Sequence, residues 1–246
     1  MVKTILSALV AEQQLLDQYL QSIPLRDWDK KTRFKSMTIT DQVSYLAGSE
    51  DLAFNAVKKK GSFFTDYKGP SGQDKFAKVQ IAKGKKMRPQ DVIEWWRLSR
   101  AKMIEVLAKS SQSREVMWWK KSWDMKTFVM WKLSETWAHS LDIFDVTKKE
   151  YNDTARLEHI SEFGWVQVPD ISKINKIKNR DLRIELIGPE YKVWNFGPEN
   201  SENLIKGNAS DWCRLISGRS ESIKKLSLTT SGQFADRYIK FNHPMI

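Results

Sequence analysis

Apolar residues recur at helical spacing through the first two-thirds of the chain. The first such stretch carries leucines three or four positions apart and ends before Pro24. A second predicted helix runs from about Asp41 to Val57, and Thr38 with Asp41 forms a capping-box pattern at its start. A third begins at Pro89, because proline is favoured at the first helical position.

A fourth predicted helix, Met125 to Val146, is apolar on nearly every side. A helix of that kind is surrounded by protein, so we expect it at the centre of the helical part. Residues 58–88 are rich in lysine and glycine and predict a long loop. A further helical stretch starts near Asp153 and extends past Phe163.

The hydrophobic period changes from helical to alternating near residue 180. Leu182, Ile184 and Leu186 alternate with polar neighbours. A turn follows at Gly188-Pro189, and alternation then resumes. This pattern predicts a β-hairpin.

The remaining elements are predicted from capping and composition. Asn208 with Asp211 predicts the start of a helix. A strand is expected over Lys225–Thr229 and a last helix over Gln233–Phe241.

The change of period places a domain boundary near residue 178. We therefore predict a helical domain over residues 1–178 and a small α+β domain over residues 179–246. The fold class is mainly α with an α+β C-terminal part.

Composition suggests a globular protein of the cytoplasm. The chain is 41% hydrophobic and 29% charged, and no run of about 18 apolar residues predicts a membrane span. The single cysteine, Cys213, cannot form an internal disulfide, which fits a reducing compartment. We expect it to be a small buried apolar residue and not a nucleophile.

The formal net charge of +11 raises the question of nucleic acid. Lysine outnumbers arginine more than two to one, whereas arginine leads in phosphate and base recognition. No helix-turn-helix, zinc-finger or RNA-binding signature accompanies the basic clusters, so we do not expect nucleic-acid binding. The charge would instead attract small anionic substrates.

Three polar residues of the fourth helix fall on one of its apolar stripes. Glu135, His139 and Asp142 are spaced at i, i+4 and i+7 and therefore share one stripe. Buried side chains of this kind need partners. A single metal ion could be the shared partner of these side chains. Alternatively, they could be partners of one another in a buried hydrogen-bonded network, with His139 held between Glu135 and Asp142. The spacing leaves both open.

Arg100 is a polar residue on the apolar stripe of the third helix. Its guanidinium could bind a substrate carboxylate in a bidentate manner. It could equally pair with a local acid or extend along the surface to water. The two histidines outside the fourth helix, His159 and His243, lie in no motif, and we expect structural roles for them.

Four segments resemble conserved blocks of the mycothiol-dependent maleylpyruvate isomerase family. They are the segments 38–47 (TITDQVSYLA), 133–142 (LSETWAHSLD), 193–198 (VWNFGP) and 208–213 (NASDWC). The resemblance covers nearly the whole chain in order. It implies a DinB-like four-helix bundle followed by a sterol-carrier-like domain.

The resemblance also implies a metal site. In that family a divalent metal, usually zinc, is held by a histidine of the second helix and by a glutamate and a histidine of the fourth. Glu135 and His139 match the latter two, but Tyr45 stands where the first histidine belongs. Neutral tyrosine is a poor ligand. Either Tyr45 binds as phenolate, Asp142 or another acid completes the site, or the metal has been lost.

The function implied by the resemblance is a metal- and thiol-dependent isomerase or transferase. A low-molecular-weight thiol would attack a small anionic substrate, with Arg100 holding a carboxylate and Tyr45 as ligand or general acid. A metal-free enzyme or ligand-binding protein using Tyr45, His139, Asp142 and Arg100 is the alternative. A basic nucleic-acid-binding module is a third. Exposed tryptophans would support a homodimer, although most can be assigned to the core.

Overall fold

The computed structural model describes residues 2–34, 36–59, 67, 71–119, 121–220, 222–241 and 243. Helices dominate the first part of the chain, and short strands mixed with helices make up the rest. The helices are α1 (Val2–Ser22), α2 (Ile39–Lys59), α3 (Gly72–Gly84), α4 (Pro89–Lys109), α5 (Met125–Val146), α6 (Leu157–Val166), α7 (Val168–Ile174), α8 (Ala209–Ile216) and α9 (Gln233–Tyr238). The strands are β1 (Glu115–Trp118), β2 (Lys121–Asp124), β3 (Arg183–Ile187), β4 (Val193–Phe196), β5 (Leu204–Asn208) and β6 (Leu228–Ser231).

The chain divides into two compact units. The first unit comprises Met1–Lys132 and His139–Tyr151, and the second comprises Leu133–Ala138 and Asn152–Ile246. Helix α5 contributes residues to both. The predicted domain boundary after residue 178 stays a prediction.

Four helices of the first unit share one hydrophobic core. The apolar stripes of α1, α2 and α4 meet there, together with the C-terminal part of α5. Its fully buried members include Leu16, Leu20, Val43, Leu46, Val92, Trp96 and Ile143. The predicted helical N-terminal part is confirmed.

The predicted start of α2 is confirmed atom by atom. The Thr38 backbone N–H donates to Asp41 Oδ2 at 3.0 Å, and the Asp41 N–H donates to Thr38 Oγ1 at 3.1 Å. This reciprocal capping box satisfies two N–H groups that the helix itself cannot pair. Gln42 therefore lies in the first turn of α2, in a defined orientation.

The prediction of a loop over residues 58–88 is wrong in part, because α3 occupies Gly72–Gly84. Phe76 anchors this helix, with its ring centroid 5.3 Å from that of Tyr67 and 6.2 Å from that of Tyr45. A helix with one large apolar anchor among lysines and glutamines gives little periodic signal. Residues 60–66 and 68–70 of the predicted loop lie outside the described residues.

A short antiparallel hairpin, β1–β2, precedes α5 and had not been predicted. The rings of Trp118 and Trp131 lie 4.7 Å apart. Asp124, the last residue of β2, accepts the Thr127 N–H at 2.9 Å and caps α5. The contact between these tryptophan rings thus packs the hairpin against the N-terminal part of α5.

Helix α5 has the predicted bounds, and every residue from Thr127 to Phe144 is buried. This confirms its central position. None of the described helices is long and apolar enough to cross a membrane.

The second unit contains a mixed four-stranded sheet in the order β4-β3-β5-β6. The predicted hairpin is confirmed as β3–β4, whereas β5, which runs parallel to β3, had not been predicted. The strand expected over 225–229 lies instead at Leu228–Ser231, and the last helix ends at Tyr238. The predicted fold class is confirmed.

Helices α6 and α8 of the second unit approach each other closely. Asn208 caps α8 as predicted, with its Oδ1 accepting the Ser210 N–H at 2.8 Å. Trp212 on α8 donates its indole N–H to the Ser161 carbonyl of α6 at 3.2 Å. A Cβ added at Gly164 would lie 2.3 Å from Ile216 Cδ1. Gly164 is therefore needed for the close packing of α6 on α8.

Gly164→Ala is expected to lower the free energy of unfolding by about 1–3 kcal/mol, although alanine is the better helix former. The physical reason is the clash with Ile216 and Trp212. Urea unfolding of the full chain measures the change. Adding Ile216→Val, which removes the clashing methyl group, should restore part of the loss. An alanine variant more stable than the parent would contradict this packing.

The buried His243 is expected to make the free energy of unfolding depend on pH. Burial lowers the pKa of His243 from its usual 6.5 to about 4, opposed by its hydrogen bond to the Tyr238 carbonyl. Between pH 4 and pH 6.5 the unfolded chain binds a proton at His243 that the folded chain does not bind. The contribution of neutral His243 to the free energy of unfolding is therefore complete above pH 6.5, and up to about 3 kcal/mol is lost as the pH falls towards 4. Urea unfolding at several pH values should show a shallower acid loss for His243→Gln. Parallel pH profiles for the two proteins would contradict the assignment.

Candidate functional site

The polar stripe of α5 is buried as predicted. Glu135 has no exposed surface, and His139 and Asp142 are 2% and 5% exposed. Each follows the previous one by about one turn of the helix. Groups so deeply buried need hydrogen-bond partners, and those of His139 and Asp142 include a residue of α2.

Gln42 of α2 connects the polar stripe of α5 to the loop that precedes α2. Thr32 Oγ1 donates to the Met37 carbonyl at 2.9 Å, so it accepts the Gln42 side-chain N–H at 2.8 Å. The same amide nitrogen lies 3.4 Å from Asp142 Oδ2. These two acceptors orient the amide, and Gln42 Oε1 therefore faces His139 Nδ1.

This relay selects the tautomer of His139. Gln42 Oε1 can only accept a hydrogen bond, so Nδ1 carries the proton in the neutral imidazole. The lone pair is then on Nε2, which can accept a proton or bind a metal. Asp142 Oδ2, 3.9 Å from Nδ1, would stabilise positive charge that develops on the ring. This tautomer is the one in which Nε2 can act as a base.

Aromatic rings pack against the imidazole. The Tyr45 ring lies 5.1 Å from the His139 ring, centroid to centroid, and is tilted by 44°. Phe34 approaches edge-on at 6.1 Å. Tyr45 itself is only partly buried.

The donor set does not fit a metal centre with three strong ligands. Glu135 and His139 stand at the expected positions one turn apart on α5. Within the described part of the chain, however, no group of three His, Cys, Asp or Glu side chains could hold a metal ion. Tyr45 would have to contribute a phenolate, and a neutral phenol is a weak ligand.

Arg100, the predicted carboxylate clamp, is engaged within the first unit. Its Nη2 forms an ion pair with Asp17 Oδ2, and its Nη1 donates to the Gln13 carbonyl at 2.7 Å. Arg97 also pairs with Asp17, at 2.6 Å. Burial lowers the pKa of Arg100, and Asp17 opposes that shift. A role in binding substrate stays a prediction and would require substrate to compete with Asp17.

A fully buried ion pair lies farther along the same helices and had not been predicted. Lys132 Nζ is 3.0 Å from Glu50 Oε2 and donates to Ser49 Oγ at 3.1 Å. Gln13 donates to the other Glu50 oxygen at 3.0 Å. Neither charged side chain has exposed surface.

Lys132 and Gln42, which the sequence analysis did not single out, each left a signal in the sequence. Lys132 lies seven residues before His139 and so belongs to the same stripe of an otherwise apolar helix. A lysine there requires a buried acid, and Glu50 lies on the neighbouring α2. Gln42 falls in the capped first turn of α2, three residues before Tyr45.

Cys213 lies in the second unit and is buried. Its sulfur is 3.3 Å from Ser161 Oγ, and burial raises the pKa of the thiol well above its usual range. The thiolate is therefore disfavoured, which agrees with the expectation that Cys213 is not a nucleophile.

Two kinds of known protein resemble this chain over most of its length. The uncharacterized proteins MT0041 and Rv0036c of two Mycobacterium tuberculosis strains are 26% identical to it over 236 residues, covering 93% of this chain and 90% of theirs. Crystal structures of a mycothiol-dependent maleylpyruvate isomerase and its histidine-to-alanine mutant superpose with TM-scores of 0.61. Their sequences are 14% and 15% identical to this chain, and each match covers 94% of this chain and 93% of the solved one.

The structural likeness establishes the fold. The sequence model of the mycothiol maleylpyruvate isomerase N-terminal domain matches residues 9–144, which is more than half of the chain and includes all of α2, most of α5 and the Gln42–His139 relay. The resemblance recognised in the sequence is thereby confirmed: this chain belongs to the mycothiol-dependent maleylpyruvate isomerase family.

Proposed function

We propose that this protein catalyses a thiol-dependent isomerisation or group transfer on a small anionic substrate, with His139 as the base that activates the thiol. The observation that carries the proposal is the relay in which Thr32 and Asp142 orient Gln42, and Gln42 Oε1 accepts the Nδ1–H of His139. Membership of the family supports the choice of a thiol as the second reactant.

His139 would take the thiol proton on Nε2. A bound low-molecular-weight thiol supplies the nucleophile for reversible addition to an electron-poor double bond. Asp142 and Gln42 hold the imidazole while it carries positive charge. Tyr45, which packs against the ring, is the candidate donor of a hydrogen bond to negative charge on the substrate.

No step of the proposed reaction uses a metal ion. Zinc is the metal that the family resemblance implies, and Glu135 and His139 are its expected ligands. Tyr45 replaces the third, and the described residues hold no alternative cluster. A base at His139 needs only the relay that the structure contains.

A binding protein without turnover is the second candidate. The observation that favours it is the burial of His139, which is only 2% exposed. A hydrogen-bonded histidine at such a depth can be a purely structural member of the core. Measurements of turnover separate the two candidates.

His139→Ala is expected to lower kcat/KM for thiol-dependent turnover by roughly 10²–10⁴-fold, the usual contribution of a general base. Maleylpyruvate with mycothiol is the first substrate pair to test. Gln42→Leu should give a smaller loss, because the base remains while its tautomer is no longer selected. It should also alter the pH–rate profile, which a merely structural change would not do.

Gln14→Leu, at an exposed position of α1, is the control for replacing a glutamine and should retain activity. Folding of each variant is checked by circular dichroism. Full activity of a folded His139→Ala variant would refute the proposed base. Binding of substrate or thiol without turnover by the parent chain would favour the second candidate.

Tyr45→His is expected to create a stoichiometric zinc site, because it would complete a set of two histidines and one glutamate. The parent chain should contain well below one zinc per chain after purification. Elemental analysis with and without a chelator measures both. A parent chain that retains one zinc per molecule, and loses it in Tyr45→Phe, would show that tyrosine is a ligand and would contradict the metal-free proposal.

A further inference from the structure

The second unit contains a basic cavity formed where the loop after α7 meets α9. Its volume is about 280 Å³. The residues that line it are Lys176, Ile177, Lys178, Arg180, Gln233, Phe234 and Arg237. A space of this size suits a small molecule better than an extended polymer.

Four cations face this cavity, and no carboxylate lines it. In the part of the chain that the structure describes, none of Lys176, Lys178, Arg180 and Arg237 forms an ion pair with an acidic side chain. Like charges gathered around one concave space repel one another, and a bound anion would relieve that repulsion.

The backbone holds one of these lysines in an unfavourable conformation. Helix α7 ends with the Lys176 N–H donating to the Lys173 carbonyl at 3.1 Å and the Ile177 N–H to the Ser172 carbonyl at 2.9 Å. In this arrangement the residue at Lys176 adopts a positive φ, here 56°. Glycine is favoured at such a position, so a lysine there carries a conformational cost.

We infer that this cavity is a binding site for a small phosphate-bearing organic anion. Two guanidinium groups can contact phosphate oxygens in pairs, and the two ammonium groups add charge. Phosphate groups carry more than one negative charge each and match the four cations better than a single carboxylate would. Phe234 and Ile177 provide apolar surface for the organic part of the ligand.

Binding of inorganic pyrophosphate to the full chain tests the charged part of the site. Isothermal titration calorimetry at low ionic strength should show one site whose affinity falls as salt is added. Arg180→Gln and Arg237→Gln should each weaken binding about tenfold, the effect of losing one charge-assisted contact. AMP should bind in competition with pyrophosphate.

Lys102→Gln is the matched control. It makes the same change of net charge at an exposed position of α4 and should leave the affinity unchanged. Equal weakening by Lys102→Gln and the cavity variants would show only a general positive field and would overturn the proposal. Absence of pyrophosphate binding by the folded parent would also overturn it.

Lys176→Gly separates binding from folding. Glycine relieves the strained turn, so this variant should unfold at higher urea concentration while binding pyrophosphate more weakly. Lower stability with unchanged binding would show that Lys176 is structural and would contradict its role in the site. Cavity-dependent binding of a short DNA duplex, tighter than that of pyrophosphate, would assign the surface to nucleic acid instead.

Discussion

A lysine and a glutamate without any exposed surface, Lys132 and Glu50, set the constraint on which the first unit depends. Their charged atoms are 3.0 Å apart, and Lys132 also donates to Ser49 while Glu50 accepts from Gln13. Removing one partner would leave a buried charge uncompensated, which is far more costly than never burying the pair. The main effect of the pair is therefore to restrict α1, α2 and α5 to packing arrangements that keep the two charges together.

The alignment of α2 with α5 that forms this ion pair also brings the residues of the candidate site together. Lys132 contacts Ser49, and His139 contacts Gln42, so a step of seven residues forward on α5 matches seven residues backward on α2. The two helices are thus antiparallel along a buried polar seam, with about two turns, or roughly 10 Å, between the ion pair and the histidine. A slip of either helix would break both contacts at once. The alignment of α2 with α5 therefore fixes both the packing of the bundle and the orientation of His139.

Tyr45 changes what this seam can do chemically. It lies three residues after Gln42, on the part of α2 that faces His139, and its ring packs on the imidazole where the family resemblance places a metal ligand. The tyrosine ring adds packing, but its neutral phenol oxygen is a weak metal ligand. The relay through Gln42 nevertheless keeps the proton on Nδ1 and the lone pair on Nε2. The proposed function follows from that difference: an oriented base remains where three metal ligands do not.

Local pattern was enough to predict α5, the capping box of α2 and the β3–β4 hairpin, because each depends on residues a few positions apart. It also placed Glu135, His139 and Asp142 on one buried stripe. Helix α3 and strand β5 were missed, since one is held by a single aromatic anchor and the other by pairing with β3. The partners of the stripe were missed for a related reason: Gln42 is 97 residues from His139, and Ser49 is 83 from Lys132. Sequence pattern was therefore enough to predict that Glu135, His139 and Asp142 are buried. Their partners could not be predicted, because the pairing depends on how the helices are aligned in the folded bundle.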